Sequence, residues 1–197
     1  MRKLRMFNRV TPEGYFASPD GGLGWVVPEP ELDRAAAESL GGTDAILFGR
    51  RTYEMFESFW PRLLDAPDVA SNPHGAPSPQ MRAMAEWMRD AEKIVFSRTR
   101  TETTWANSRI VPALDPAAID AMKRAPGKDI MVFGSGSLVA QLTEHGLIDE
   151  YHLVVGPLFL GAGRPLLPGL SRSVRLELIE AKAYPSGNVA LRYARAG

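Results

Sequence analysis

Twice in this chain a short apolar run with no polar alternation stops at glycine and gives way to a helical pattern, and a third such run stops at serine. Ala45-Ile46-Leu47-Phe48 leads into Gly49-Arg50-Arg51-Thr52 and a helix through Tyr53, Met55 and Phe56. Asp129 to Phe133 leads into Gly134-Ser135-Gly136-Ser137 and a helix from Ser137 to Glu144. Lys93 to Ser97 runs on into Arg98-Thr99. Runs of this kind read as buried strands. Strands that alternate with helices in this way belong to an α/β fold whose sheet is mostly parallel.

The remaining segments fit that frame. Leu4 to Val10 reads as a first strand that ends at the Thr11-Pro12-Glu13-Gly14 turn. A long loop follows through Tyr15-Phe16-Ala17 and Ser18-Pro19-Asp20-Gly21-Gly22. Glu31 to Leu40 places Leu32, Ala35, Ala36 and Leu40 on one side of a helix closed by Gly41-Gly42. The proline-rich stretch from Pro61 to Pro79 reads as an exposed loop, either a surface insertion or a lid. Gln80 to Arg89 forms a helix with Met81, Met84, Ala85 and Met88 on one face, a core pattern more than a flexible binding surface. Ser108 to Val111 is a strand, Pro116 to Arg124 a helix and Glu150 to Val155 a strand. Arg175 to Ala183 and Val189 to Ala194 close the chain as a hairpin around Pro185-Ser186-Gly187-Asn188. A single domain over residues 1–197 is expected.

Charge and composition exclude several classes of function. Basic and acidic residues balance at 23 each with no dense basic run, so the electrostatic footprint of a nucleic-acid binder is missing. Without any cysteine there is no disulfide framework, no thiolate nucleophile and no cysteine zinc site. The three histidines, His74, His145 and His152, are far apart in sequence, and no metal site is expected. No stretch approaches the ~20 apolar residues of a membrane span, and a cytoplasmic location is expected.

Function is sought at the three strand ends. In open α/β sheets ligands sit beyond the carboxyl ends of strands, where glycine lets backbone come close and helix N-termini present free N–H groups to anions. Phe48 to Thr52, Phe96 to Thr99 and Phe133 to Ser137 each put small or hydroxylated residues at such an end, two of them with arginine. Together they would cradle a ligand bearing several phosphates, although each glycine could equally serve only to bend a turn. Val139 stands where a G-x-G-x-x-G fingerprint needs its third glycine, so a standard dinucleotide fold is not indicated.

ILFGRRTYEMF, IVFSRT and IMVFGSGSLVAQL, in this order, resemble the three cofactor-binding segments of the dihydrofolate reductase fold. HGLIDEYHLVVGPLFLGAGRPLL, His145 to Leu167, and the opening NRVTPEGYFASPDGGLGW are similar more narrowly to the reductase domain of the bifunctional riboflavin-biosynthesis deaminase-reductases. The resemblance implies a three-layer α/β/α fold around a mixed sheet, NADPH as hydride donor and a pterin-like or pyrimidine-like substrate. It places Gly49, Arg50 and Thr52 at the cofactor phosphates, with Arg50 near the adenosine 2′-phosphate. Ser97 and Arg98 fall in the second phosphate and adenosine segment, and Gly134, Ser135, Gly136, Ser137 and Leu138, with Gln141, in the pyrophosphate turn and its helix. Phe7, Asn8 and Trp25 are implied as pocket lining, and a homodimer is implied through the segment from Gly156 to Pro165.

Dihydrofolate reductases carry an acid soon after a tryptophan and a proline in the loop before the first helix. Here Pro30 falls at or beside that place, flanked by Glu29 and Glu31. These two glutamates are the candidate proton donors, and the departure argues against dihydrofolate itself as the substrate. Acids at a helix start also simply favour the helix dipole. The other reading of the cradle is a non-catalytic module that binds FMN or another nucleotide.

Overall fold

The computed structural model describes residues 1–65 and 78–196. Eight strands form one sheet in the order β5-β4-β3-β6-β1-β7-β10-β9. They are β1 (Leu4–Val10), β3 (Thr43–Gly49), β4 (Glu92–Phe96), β5 (Ser108–Val111), β6 (Asp129–Phe133), β7 (Glu150–Val155), β9 (Leu176–Ala183) and β10 (Val189–Arg195). From β5 to β7 every pairing is parallel, and β10 then pairs antiparallel with both β7 and β9.

Residue alternation along β3 and β6 shows why their sequences are apolar throughout. Ala45, Leu47, Ile130 and Val132 join one core cluster, while Ile46, Phe48, Met131 and Phe133 join another on the opposite face. Helices α1 (Pro30–Leu40), α2 (Arg50–Asp65) and α3 (Pro79–Asp90) cover the second cluster through Leu40, Tyr53 and Met88. Helices α4 (Pro116–Arg124) and α5 (Gly136–Glu144) cover the first through Ile119, Leu138, Val139 and Leu142. The result is the three-layer α/β/α arrangement around a mostly parallel mixed sheet.

Two segments depart from the sequence reading. Pro61 to Asp65, expected in a loop, continue α2: a proline late in a helix removes one backbone donor without ending it. At the other end of that stretch, Ser78 caps α3, accepting at 3.1 Å from the Met81 N–H, and Pro79 is the first helical residue. The remainder of the expected loop, 66–77, lies outside the described residues. The second departure is β2 (Tyr15–Ala17), expected within a loop, which pairs antiparallel with β8 (Arg164–Pro165). Partners so distant in sequence leave no local trace.

Candidate functional site

Strands β3 and β6 lie side by side and parallel, with Leu47 opposite Val132, but their helices leave to opposite faces. The carboxyl ends therefore diverge, and this switch point opens a cleft of about 1240 Å³. Drug-sized ligands fill roughly 300–1000 Å³, so there is room here for a dinucleotide with a second molecule beside it.

All three turns converge on it. Gly49, Arg50 and Thr52 line the cleft from the first, Ser97 and Arg98 from the second, and Gly134, Ser135, Gly136, Ser137, Leu138 and Gln141 from the third. The first and third are locked together. Ser135, at φ 58°, makes no capping bond to its own helix; its Oγ accepts from the Gly49 N–H at 3.0 Å and bonds Thr52 Oγ1 at 2.7 Å. A Cβ on Gly49 would overlap that hydroxyl and lie 2.8 Å from Ser135 Cβ, and one on Gly136 would come within 2.5 Å of the Pro165 carbonyl. Contacts inside the chain thus suffice to require glycine at both positions.

The electrostatics at this end suit an anion. Helices α2 and α5 both start at the cleft, and neither has an acid in its first turn to compete for the free N–H groups. Of the arginines at the rim, Arg50 is engaged: its Nη1 donates to both carboxylate oxygens of Glu54 at 3.0 and 3.1 Å. Arg51 and Arg98 are exposed at the cleft without an ion pair among the described residues.

Apolar side chains line the cleft beside the carboxyl end of β1. Phe7 and Arg9 line it from one face of that strand and Asn8 from the other. Phe7 meets Phe133 edge-on at 6.1 Å between ring centroids, and Phe56 lies 5.6 Å from Phe133, with Met84 beside them on the same wall. Phe16 and Arg164 line the cleft from the β2–β8 pair. Asn8 is buried with its Oδ1 unpartnered. Met84 reads in sequence as core, because helical spacing cannot tell a face that packs on side chains from one left open over a cleft. Arg164 lies in the chain-breaker segment assigned to a dimer contact.

Glu29 and Glu31 are elsewhere. Glu29 caps α1, accepting from the Glu31 N–H and the Ser186 N–H at 3.3 Å each, and Ser186, against the upward push of burial, holds its carboxyl below the usual range. Glu31 is exposed and pairs with Lys182 at 2.5 Å. Neither lines the cleft, so the structure does not bring the two candidate proton donors to it. Trp25 does not line it either: its ring packs where a Cβ on Gly156 would lie 3.3 Å away. Among the described residues, the carboxylates that do line the cleft are Glu54, paired with Arg50, and Asp20. The Ser18 hydroxyl and then the Gly22 N–H donate to Asp20 and hold its carboxyl below the usual range, so it stays ionised.

Comparison with known proteins adds the family. The RibD C-terminal domain matches residues 2–190. The chain belongs to that family. Among curated relatives, YyaP of Bacillus subtilis (strain 168) is 26% identical over 196 residues, covering 98% of this chain and 94% of its own. YwjB of the same organism is 24% identical, covering 99% of each chain. Among solved structures, a putative riboflavin biosynthesis protein from Shewanella sp. PV-4 superposes with a TM-score of 0.73 at 22% identity, over 99% of both chains. A pyrimidine reductase-like protein from Corynebacterium diphtheriae gives 0.65 at 16% identity, over 100% of this chain and 92% of that one. These structures share the fold of this RibD C-terminal domain.

Proposed function

We propose that this chain is an NADPH-dependent reductase that passes a hydride to a small flat heterocycle, pterin-like or pyrimidine-like, or to a carbonyl compound. The observation that carries the reading is that one cleft is lined by both kinds of group: two acid-free helix starts with Arg51 and Arg98, and the apolar side chains of Phe7, Phe56, Met84 and Phe133. Hydride transfer needs donor and acceptor in contact in a dry, orienting pocket. Membership of the RibD C-terminal domain family and the pyrimidine reductase-like neighbour point the same way.

NADPH, when bound, supplies the hydride. The chain's own residues do the rest. The turns at Gly49 and Gly134 to Ser137 would hold the pyrophosphate, and Arg98 with Arg51 the 2′-phosphate, since Glu54 already neutralises Arg50. The aromatic wall excludes water from the acceptor. Asp20, ionised, is no acid at neutral pH, and Glu54, paired with Arg50, is the other carboxylate at the cleft among the described residues, so in this reading the proton that completes the reduction comes from solvent at the cleft mouth. A homodimer that covers exposed Phe159, Leu178 and Ile179 belongs to the same proposal.

Calorimetric titration of the purified protein with NADPH, NADH and FMN, alongside its molar mass in solution, tests this. Micromolar NADPH binding, weak NADH binding and a marked loss of NADPH affinity in Arg98→Ala are expected. Preferred FMN binding, or no nucleotide binding at all, would overturn it.

A further inference from the structure

On β1 the inward-facing residues are Leu4, Met6, Asn8 and Val10, three of them apolar. Asn8 is only 5% exposed, and its Oδ1 has no hydrogen-bond partner among the described residues. A carboxamide offers one acceptor and two donors, and leaving a buried acceptor unpaired is costly enough that such groups are rare in folded proteins. The backbone explains why no strand lies beside it on that side. Phe7 is still paired with Phe133 on β6, but the next β6-side residue, Gly134, turns out of the sheet at φ 52°, and Asn8 is left at the edge of the cleft.

We infer that Asn8 reads an amide edge, pairing its carboxamide with an N–H and C=O set side by side on the bound ligand. The oxygen and nitrogen of the side chain can exchange places by a simple flip, so either order of donor and acceptor on the ligand is met. Two molecules expected in the cleft carry such an edge: a nicotinamide ring through its carboxamide, and a lactam-type heterocycle through its ring. The inference rests on the cofactor-and-acceptor reading of the cleft and adds the group that selects its ligand.

Calorimetry with the full chain separates the sources. The probes are NADPH, its 3-acetylpyridine analogue in which a methyl replaces the amide nitrogen, uracil, and adenosine 2′,5′-bisphosphate, which has phosphates but no amide edge. Asn8→Leu is expected to weaken NADPH or uracil binding roughly tenfold while leaving the bisphosphate within about twofold. If NADPH is the one weakened, wild-type protein also disfavours the acetylpyridine analogue and the variant does not. If uracil is the one weakened, the acceptor carries the edge. NADPH and uracil both unchanged in the variant would overturn the inference while the cofactor reading stands; wild-type protein that takes up none of the four overturns both. Should leucine disturb folding, seen as loss of bisphosphate binding, the smaller β-branched Asn8→Val is read against the same control.

Discussion

Gly49→Ala tests whether the two glycine turns are one unit. The new Cβ would overlap Ser135 Oγ and sit 2.8 Å from Ser135 Cβ, so the β6–α5 turn has to move. That movement breaks the Gly49 N–H bond to Ser135 Oγ, 3.0 Å long, and strains the 2.7 Å bond between Ser135 and Thr52. Overpacking a tight site costs about 1–3 kcal/mol and each lost hydrogen bond about 0.5–1.5 kcal/mol, which gives a loss of about 2–4 kcal/mol. In a chain of this length that lowers Tm by roughly 4–16 °C. Denaturant unfolding of Gly49→Ala, Ser135→Ala and the double variant measures it. Because Ser135→Ala removes the hydroxyl that the new methyl meets, the double variant should lose less than the sum of the singles, by about 1 kcal/mol. Strict additivity, or a Gly49→Ala cost below about 0.5 kcal/mol, would refute the picture of a locked pair.

Glu29→Gln and Glu31→Gln should leave kcat with any accepted substrate within about twofold, because neither side chain reaches the cleft, while Glu29→Gln costs about 1 kcal/mol of stability as a cap is weakened. A fall in kcat of tenfold or more in either variant would return that glutamate to the proton path. Glu150 gives a pH prediction. Burial pushes its carboxyl up, but Lys3 at 2.6 Å and His152 at 3.1 Å outweigh it and bring the pKa down to about 2. A depressed carboxylate stabilises the fold above its unfolded pKa of 4.5 and loses that contribution as pH falls towards 2, so wild-type stability should drop by about 2–3 kcal/mol across that window from this group. Glu150→Gln should flatten that part of the acid-unfolding curve; an unchanged slope would remove Glu150 from the account.

Most of the fold was legible because its strands are buried on both faces and its helices carry strong stop signals. Asp115-Pro116 starts α4 where the sequence places it, with Asp115 accepting from the Ala117 N–H at 3.0 Å, and β6 and β7 have the bounds that their apolar runs suggest. Convergence of the three turns on one cleft was legible too, since parallel strands necessarily put their carboxyl ends on one edge. What could not be read was the path of loops. Trp25, Glu29 and Glu31 lie between a glycine-rich stretch and a helix, and their order along the chain says nothing about whether they face the cleft or the β9–β10 turn at Ser186, where Glu29 is held. Asn8 lies between these cases. A polar residue in the register of Leu4, Met6 and Val10 is visible as an anomaly, but only the departure of β6 at Gly134 shows that it borders an opening.

The glycine-rich turn also proves to have a different cause from the one its sequence suggests. Backbone approaching a pyrophosphate would account for Gly134-Ser135-Gly136, yet the Pro165 carbonyl against Gly136, the left-handed φ of 52° at Gly134 and, in the neighbouring turn, the Ser135 hydroxyl against Gly49 already favour these glycines within the chain. The inference from glycine to phosphate is therefore weaker than it looks, and the anion argument falls to groups that the internal packing leaves free: the first turns of α2 and α5 and the guanidinium groups of Arg51 and Arg98. A cleft whose walls are fixed by internal contacts is already shaped before any ligand arrives, which reduces the ordering cost of binding. In such a cleft a buried acceptor that the chain's own described residues leave unpaired, as Asn8 Oδ1 is, favours a ligand that supplies the missing donor.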